Sequence, residues 1–324
     1  MTVQEISDLW KEDEPKYNAL GDLVSKFIKN NISEIEILPE ISFRTKELLS
    51  IVKKIKKKQR EKQYSYSDLN DKLGIRIICS FQDEMGLIDN FLHQHFNIKK
   101  VERKKDSIDI RTLDYISNHY DACINCAKTE FKKNKHLEHL IFEIQVRTLN
   151  QHAWANTAHT LSYKQEAEIP SVLMRKVYRL LSLYEIADDE FSLVNEALVN
   201  DPQTKVFNVL RKLEGKTYKY AQIDFDRETS LFAIGNILKY LQPNEIHKFQ
   251  AEIDQFIKKN EKKIQNIFKE NKNRFIEIPI LTQPEIFLIW FSLEFFPYSI
   301  TDNWSKNFDD EELEQIQTLW GKDI

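Results

Sequence analysis

The pattern of hydrophobic and polar positions changes near residue 170. Between about 40 and 165, short apolar runs alternate with amphipathic stretches, which is typical of strands alternating with helices. The strand candidates are 75–81, about 98–103, 115–124 and 139–148, and the helix candidates are 50–62, 83–96 and 149–164. This part of the chain is therefore predicted to be an α/β domain.

Helical periodicity dominates on both sides of that domain. Residues 1–32 form an amphipathic helical start, and Pro170 precedes a long run of helical patterns. These patterns cover 171–198, 203–214, 227–240, 244–271, 283–296 and 309–320. We expect three regions, namely a helical segment at 1–39, a domain that carries the chemistry at 40–169, and a helical extension at 170–324.

Composition narrows the class of protein. The 324 residues include only 6 glycines, and neither a Walker A sequence nor GxGxxG occurs, which argues against P-loop and Rossmann domains. Three cysteines do not make a disulfide framework, so a reducing cytoplasm is expected. The longest apolar segment, IFLIWFSLEFF, is too short to span a bilayer, so no membrane partner is expected.

Positive charge is concentrated in one short stretch. The whole chain has a formal charge of −4, yet residues 44–76 hold 11 Lys and Arg against 4 Asp and Glu. Basic residues lie on both sides of a predicted helix start that contains Ser50: Arg44 and Lys46 before it, and Lys53, Lys54 and Lys57 after it. Helix N-termini attract phosphate, so we interpret the stretch as a polyphosphate site. A solvated basic face is the alternative.

Two acids are candidates for metal binding and catalysis. Along the predicted strand at 139–148, Glu143, Gln145 and Arg147 share one face, which suits a polar ligand or, alternatively, solvent. Asp71 comes directly before the strand at 75–81. If the two strands are neighbours, Asp71 and Glu143 form a carboxylate pair for Mg²⁺ and a hydroxyl nucleophile. The sequence leaves that adjacency open.

Two further sets of polar residues share a face. Tyr115, Ser117 and His119 alternate along a strand and could stack a base and bind its sugar or phosphates, although an ordinary half-buried strand gives the same pattern. His152, Asn156, His159 and Tyr163 follow helical spacing and suggest the wall of a substrate pocket, with an ordinary packing face as the alternative. Zinc is disfavoured, because HExxH and a partnering cysteine pair are absent.

In this order, the motifs resemble the synthetase domain of the RelA/SpoT alarmone family. The resemblance covers roughly 40–165 and does not extend to 170–324. It is carried by Arg44-x-Lys46-x-x-x-Ser50-Ile51-x-x-Lys54, Asp71-x-x-Gly74-x-Arg76, Tyr115-x-Ser117-x-His119, Glu143-x-Gln145-Val-Arg147-Thr148 and His152-Ala-Trp154-Ala with His159 and Tyr163-Lys164.

The resemblance implies a nucleotidyltransferase-like mixed sheet flanked by helices. It also implies transfer of the β,γ-pyrophosphate of ATP to the 3′-hydroxyl of GDP or GTP, which gives (p)ppGpp and AMP with Mg²⁺ as cofactor. On matching positions, Arg44 and Arg76 would sandwich adenine, with Lys46, Ser50, Lys54 and Lys57 on the phosphates. Asp71 would bind magnesium, and Glu143 would hold metal or orient and deprotonate the hydroxyl. The acceptor-binding residues would be Arg111, Tyr115, Ser117, His119, Gln145, Arg147 and His152.

Departures from the family pattern leave the acceptor open. Asp114, Ile116 and Ala158 stand where glycine, arginine and glutamate are usual. The expected acceptor is GDP or GTP, and the alternatives are a toxin acting on the 3′ end of tRNA and a nucleotide sensor without catalysis. No histidine is followed by Asp, so no hydrolase activity is expected. The extension at 170–324 is expected to regulate activity or to receive a protein regulator or antitoxin.

Overall fold

The structure, a computed structural model, describes residues 2–31, 37–103, 117–162, 171–200 and 205–321. The chain forms two compact units. The first consists of 1–31 and 38–195, and the second of 32–37 and 196–324. The division lies inside one long helix and beyond the boundary predicted near 169.

The first unit is built on a five-stranded mixed sheet. Its strands are β1 (Glu40–Thr45), β2 (Leu73–Cys79), β3 (Phe96–Arg103), β4 (Asn118–Ile124) and β5 (Phe142–Thr148). The strand order is β1-β2-β5-β4-β3. Strands β2 and β5 are parallel, whereas the other neighbouring pairs are antiparallel. This confirms the predicted mixed sheet.

Within the described ranges, five α-helices accompany this sheet. They are α1 (Val3–Asn30), α2 (Leu48–Gln59), α3 (Glu84–His95), α4 (Leu149–Ser162) and α5 (Ser171–Asn200). Helix α1 begins with a capping box in which Thr2 and Glu5 satisfy each other's backbone N–H groups. Its apolar face reaches the sheet core, where Phe27 packs against Phe91 and Phe131. The polar side chains of β2 and β5, among them Arg76, Glu143 and Gln145, alternate with buried strand residues and so lie on the other face of the sheet.

Strand β1 was not predicted. Residues 44–46 were assigned instead to the approach to a helix, which in the structure begins at Leu48. The burial along β1 alternates weakly, because β1 lies at the edge of the sheet and most of its side chains remain partly exposed. An edge strand of this kind carries little hydrophobic signal.

Helix α5 belongs to the first unit as far as Asn195 because it packs on α4 and on the end of β5. Buried Val177 and Leu181 contact Trp154. Asp188, which is 1% exposed, accepts hydrogen bonds from Thr148 Oγ1 (2.7 Å) and Asn150 Nδ2 (2.9 Å). These contacts explain why the unit continues past the boundary predicted from the hydrophobic pattern.

The second unit is helical. Its helices are α6 (Lys205–Ala221), α7 (Arg227–Tyr240), α8 (Pro243–Lys259), α9 (Glu261–Glu270), α10 (Glu285–Phe295), α11 (Pro297–Thr301) and α12 (Asp310–Trp320). The apolar α10 is buried along most of its length, as expected of a helix that is hydrophobic on all sides. The prediction of a single helix at 244–271 is wrong, because the helical conformation is interrupted at Asn260, which separates α8 from α9. None of the described helices has the length and hydropathy needed to cross a bilayer.

Candidate active site

The register of three neighbouring strands brings the predicted polar residues together. Arg44 of β1 lies opposite Gly74 of β2, and Gly74 lies opposite Glu143 of β5. One step further along the same face, Arg76 lies opposite Gln145. The adjacency of the Asp71 and Glu143 strands, which the sequence left open, is therefore a property of the fold.

A cavity of about 560 Å³ opens on this face of the sheet. Its walls combine the polar ends of β1, β2 and β5 with the first turn of α2. They are formed by Ser42, Phe43, Arg44, Thr45, Lys46, Glu47, Ser50, Asp71, Gly74, Ile75, Arg76, Glu143 and Gln145. Both candidate metal ligands line this cavity together with four of the six residues predicted to bind ATP, namely Arg44, Lys46, Ser50 and Arg76.

Asp71 is held by two lysines. Lys46 Nζ and Lys54 Nζ both donate to Asp71 Oδ2, the latter over 2.6 Å. Burial by itself would raise the pKa of Asp71, but these two hydrogen bonds and charges outweigh it and hold the pKa below the usual value. Asp71 is thus a carboxylate at neutral pH and neutralises part of the positive charge in the cavity.

The second oxygen of Asp71, Oδ1, could bind a metal ion. Among the residues the structure describes, Oδ1 is buried and has no hydrogen-bond partner. A buried carboxylate oxygen without a partner is costly unless a ligand occupies it. Within the described ranges, no cluster of three or more His, Cys, Asp or Glu side chains could hold a metal ion by itself. A pair of carboxylates such as Asp71 and Glu143 is nevertheless sufficient for Mg²⁺, which binds one or two carboxylates besides substrate phosphate and water.

Glu143 differs from Asp71 because both of its oxygens are engaged. His119 Nδ1 lies 3.1 Å from Oε1, and Gln145 Nε2 donates to Oε2 over 2.5 Å. Burial would raise the pKa of Glu143, yet the hydrogen bonds from His119 and Gln145 lower it below the usual value. The negative charge of Asp71 acts in the opposite direction and raises it slightly. Glu143 is therefore ionised and fixed in orientation.

Three arginines extend the positive charge along the sheet. Arg147 Nη2 donates to Gln145 Oε1 over 3.0 Å. Within the described part of the chain, the buried Nε atoms of Arg76 and Arg147 lack hydrogen-bond partners. Burial lowers the pKa of both guanidinium groups, and neighbouring arginines lower it further, Arg44 acting on Arg76 and Arg76 acting on Arg147. Such incompletely neutralised cations favour an anionic ligand.

His152 lies in the first turns of α4 beside these arginines. Its Nε2 is 3.1 Å from Asn156 Nδ2, and its Nδ1 is buried without a partner among the described residues. Burial, followed by the charges of Arg76 and Arg147, lowers the pKa of His152. The imidazole is therefore neutral at physiological pH.

Not every predicted site residue reaches the cavity in the described structure. Lys57 occupies an exposed position on α2 and does not line the cavity. Ser117 and His119 lie beside Glu143 rather than on the cavity wall. Arg111 and Tyr115, and the side chain of His159, lie outside the described residues.

Two polar residues near the acids were missed from the sequence. Asn70 Nδ2 donates to Asp121 Oδ2 over 2.8 Å and so ties the turn that carries Asp71 to β4. Asp121 follows His119 by two positions in β4, so the strand alternation that singled out His119 could also have found it. For Asn70, no comparable signal exists, because turn residues follow no period.

Comparison with known proteins was informative for the first unit. Residues 43–168 match the family model described as "Region found in RelA / SpoT proteins". The chain is 25% identical over 152 residues to GTP pyrophosphokinase YjbM of Bacillus subtilis, covering 47% of this chain and 69% of the relative. It is 27% identical over 153 residues to GTP pyrophosphokinase YwaC of the same organism, covering 45% and 69%. A crystal structure of small alarmone synthetase 1 from Bacillus subtilis superposes with a TM-score of 0.49 at 22% identity, over 60% of this chain and 100% of that one.

Proposed function

We propose that this chain is an ATP-dependent nucleotide pyrophosphokinase, because residues 43–168 match the family model of RelA and SpoT proteins. It transfers the β,γ-pyrophosphate of ATP to the 3′-hydroxyl of GDP or GTP, and the products are AMP and (p)ppGpp. The observation that carries the proposal is the cavity in which Asp71, paired with Lys46 and Lys54, faces the strand of Glu143. Two relatives named GTP pyrophosphokinase support the reaction class.

The ATP half of the site lies on β1, β2 and α2. Arg44 and Arg76 lie on neighbouring strands and flank the adenine ring. Ser50 lies in the first turn of α2, where backbone N–H groups are available to phosphate oxygens. Lys46 and Lys54 hold the polyphosphate, and their present bonds to Asp71 keep the two ammonium groups beside that carboxylate before the nucleotide arrives.

Mg²⁺ would be held by Asp71 Oδ1 and Glu143 together with phosphate oxygens. When bound there, it neutralises the charge of the polyphosphate and fixes its orientation. The remaining positive charge comes from the chain itself, through Lys46, Lys54 and Arg76. Phosphoryl transfer depends mainly on such positioning and neutralisation.

The acceptor half of the site is built on β5. Glu143 orients the 3′-hydroxyl and takes its proton, while the 3′-oxygen forms a bond to the β-phosphorus of ATP. The bond between that phosphorus and the α,β-bridging oxygen breaks, and AMP leaves with the oxygen. Gln145 and Arg147 contact the acceptor's sugar and phosphates, and Tyr115 stacks on its base.

The proposal includes the absence of an activity that hydrolyses (p)ppGpp. None of the 8 histidines is followed by Asp, so the His-Asp pair of a metal-dependent hydrolase is missing from the sequence. The second unit holds none of the residues proposed for transfer, and we assign it a regulatory or partner-binding role. The reaction takes place in the cytoplasm, where ATP and GTP are abundant.

An acceptor panel tests the proposal. The purified chain is incubated with Mg²⁺ and γ-labelled ATP, and GDP, GTP and total tRNA are offered in separate reactions. We expect label in a guanosine nucleotide together with an equal amount of AMP. Label that appears only in tRNA would reject the guanosine acceptor, and ATP binding without any AMP formation would reject catalysis.

A further inference from the structure

Asp71 lies in a turn, whereas the other acid of the cavity lies in a strand. The turn precedes β2, which begins at Leu73, and Glu143 is part of β5. The ladder between β2 and β5 places Gly74 opposite Glu143 but does not extend back to Asp71. The separation of the two acids therefore depends on the contacts that hold the turn.

The turn is attached to the sheet on both sides of Asp71. The residue after it, Lys72, accepts a hydrogen bond at its backbone oxygen from the backbone N–H of Lys46, over 2.9 Å, directly after β1. The residue before it, Asn70, donates from Nδ2 to Oδ2 of Asp121 in β4 over 2.8 Å. Because β1 and β4 lie on opposite sides of β2 in the sheet, the turn is held from both directions.

The attachment through Asn70 leads to the cross-strand neighbour of Glu143. Asp121 lies directly opposite Glu143 in the antiparallel register of β4 and β5. The Cβ atoms of residues paired in this way are about 4.5–5.5 Å apart. One hydrogen bond thus links the chain neighbour of Asp71 to the strand neighbour of Glu143, and it limits how far the two acids can move relative to each other.

Asn70 and Asp121 serve each other in this contact. Both side chains are half-buried. Among the described hydrogen bonds, the one between Asn70 Nδ2 and Asp121 Oδ2 is the only one that either side chain makes. Lys100 of β3, which lies opposite Asp121 on the other side, donates its ammonium group to Glu102 instead. Truncating either Asn70 or Asp121 therefore removes the same contact.

We propose that the hydrogen bond between Asn70 and Asp121 positions Asp71 against Glu143, at the spacing that Mg²⁺ and the acceptor hydroxyl require. Asn70 and Asp121 are positioning residues, which act through Asp71 and do not bind the metal themselves. The inference rests on the proposed function, because this spacing matters only when both acids serve one reaction.

Substitutions at the two positions separate positioning from direct metal binding. Asp121→Ala removes the contact, whereas Asp121→Asn removes the charge and keeps an oxygen that accepts from Asn70. We expect Asp121→Ala to weaken metal binding and to lower kcat about 10- to 100-fold, as is typical of groups that orient metal ligands. Asn70→Ala should do the same, and the double variant should lose no more than either single variant. Asp121→Asn should retain most of the wild-type values.

Metal binding is measured without turnover. Mn²⁺, which also prefers carboxylate and phosphate oxygens, is titrated with the α,β-methylene analogue of ATP present and is followed by electron paramagnetic resonance. Without metal, the affinity for the analogue should stay unchanged in all variants, because Lys46 and Lys54 remain. Asp22→Ala, at an exposed position on α1, is the control. Thermal unfolding of each variant shows whether a lost function reflects a lost fold.

The pattern of losses decides the role of the contact. If Asp121→Asn lost as much Mn²⁺ affinity as Asp121→Ala, the charge of Asp121 would itself act on the metal, which would overturn the proposal. Alanine variants that kept wild-type Mn²⁺ affinity and kcat, losses that added up in the double variant, or a wild-type chain that bound no Mn²⁺ would also overturn it. If the wild-type chain bound Mn²⁺ but transferred nothing to GDP or GTP, the proposed function would fail, and the Mn²⁺ affinities would still decide whether Asn70 and Asp121 position Asp71.

Discussion

At the scale of single residues, the two acids of the cavity are not equivalent. Asp71 uses one oxygen for Lys46 and Lys54 and keeps Oδ1 buried without a described partner. Glu143 has both oxygens bound, by His119 and Gln145. The open oxygen suits a metal ligand, whereas the constrained carboxylate suits a group that orients a hydroxyl. We therefore assign metal binding chiefly to Asp71 and acceptor activation to Glu143.

We predict that Asp71→Asn lowers kcat by about 10³-fold, because metal and electrostatic contributions to transfer are worth several kcal/mol each. ATP should still bind, since Arg44, Lys46 and Lys54 remain. Turnover at saturating Mg²⁺ and ATP binding by calorimetry are the measurements. Asp22→Asn, at an exposed position on α1, is the control. Near-wild-type turnover of Asp71→Asn would mean that the metal lies elsewhere.

A second prediction concerns Glu285, which is 2% exposed and whose Oε2 has no hydrogen-bond partner among the described residues. Burial raises its pKa above the ordinary value of 4.5. Below that value both folded and unfolded chains hold the proton, so the group has no effect on stability. As pH rises further, the unfolded chain ionises first, and the folded state loses stability.

Glu285→Gln should consequently raise the midpoint of thermal unfolding at pH 7 and leave it nearly unchanged at pH 4. The neutral amide avoids the burial of a negative charge, whose desolvation outweighs the hydrogen bond from Ser230 that lowers the pKa. Unfolding followed by circular dichroism across this pH range measures the difference. Equal stabilisation at both pH values would contradict the account, because it would show that ionisation of Glu285 is not the cause.

At the scale of elements, the strongly periodic segments were predictable and the weakly periodic ones were not. The strand predicted at 75–81 and the helix predicted at 227–240 follow from hydrophobic spacing alone. The structure has a strand at Leu73–Cys79, two residues earlier in the chain, and a helix at Arg227–Tyr240. Strand β1 was not predicted from the sequence, because its edge position leaves few of its side chains buried. The pairing of Gly74 with Glu143 could not be read from spacing either, since strand order and register depend on the packing of the whole sheet.

Helix α1 packs against a residue of β1 that also lines the cavity. A Cβ atom on Gly21 would lie 2.3 Å from Phe43 Cδ2, and Phe43 lines the cavity. Gly21→Ala should therefore displace the ring, destabilise the chain by about 1–3 kcal/mol and raise KM for ATP. Urea unfolding and ATP kinetics measure the two effects.

Gly86→Ala on α3 is the matched control, because a Cβ there meets nothing within 4 Å. It should leave KM unchanged and keep or slightly increase stability, since alanine favours helix over glycine by up to about 1 kcal/mol. If Gly21→Ala behaved like Gly86→Ala in both measurements, the packing of α1 would not determine the shape of the cavity.

At the scale of the whole molecule, the chemistry and the extension are separate in the chain. Every described residue proposed for transfer lies in the first unit, which ends at Asn195 within α5. The sequence correctly indicated a mixed α/β region followed by helices. It placed the division before α5 because hydrophobic periodicity reports that a helix is amphipathic and does not report which unit buries its apolar face.

Truncation after Asn200, where α5 ends, should give a folded domain with unchanged or increased basal transfer activity. The truncated chain keeps the Asp188 contacts that fix the end of β5. Circular dichroism, ATP binding and transfer rates compare it with the full chain. A truncated chain that folds and binds ATP but has lost transfer would show that the second unit completes the active site.

We propose that the transfer of pyrophosphate from ATP to a 3′-hydroxyl takes place in one cavity on the sheet. The most direct test compares GTP with 3′-deoxy-GTP as acceptors in reactions with γ-labelled ATP and Mg²⁺, using the wild-type chain and Glu143→Gln. We predict that wild-type protein converts GTP to a labelled guanosine product with an equal amount of AMP. The 3′-deoxy acceptor, and Glu143→Gln with either acceptor, should give at least about 100-fold less product. Equal label transfer to both acceptors, or AMP formation without a labelled guanosine nucleotide, would contradict the account.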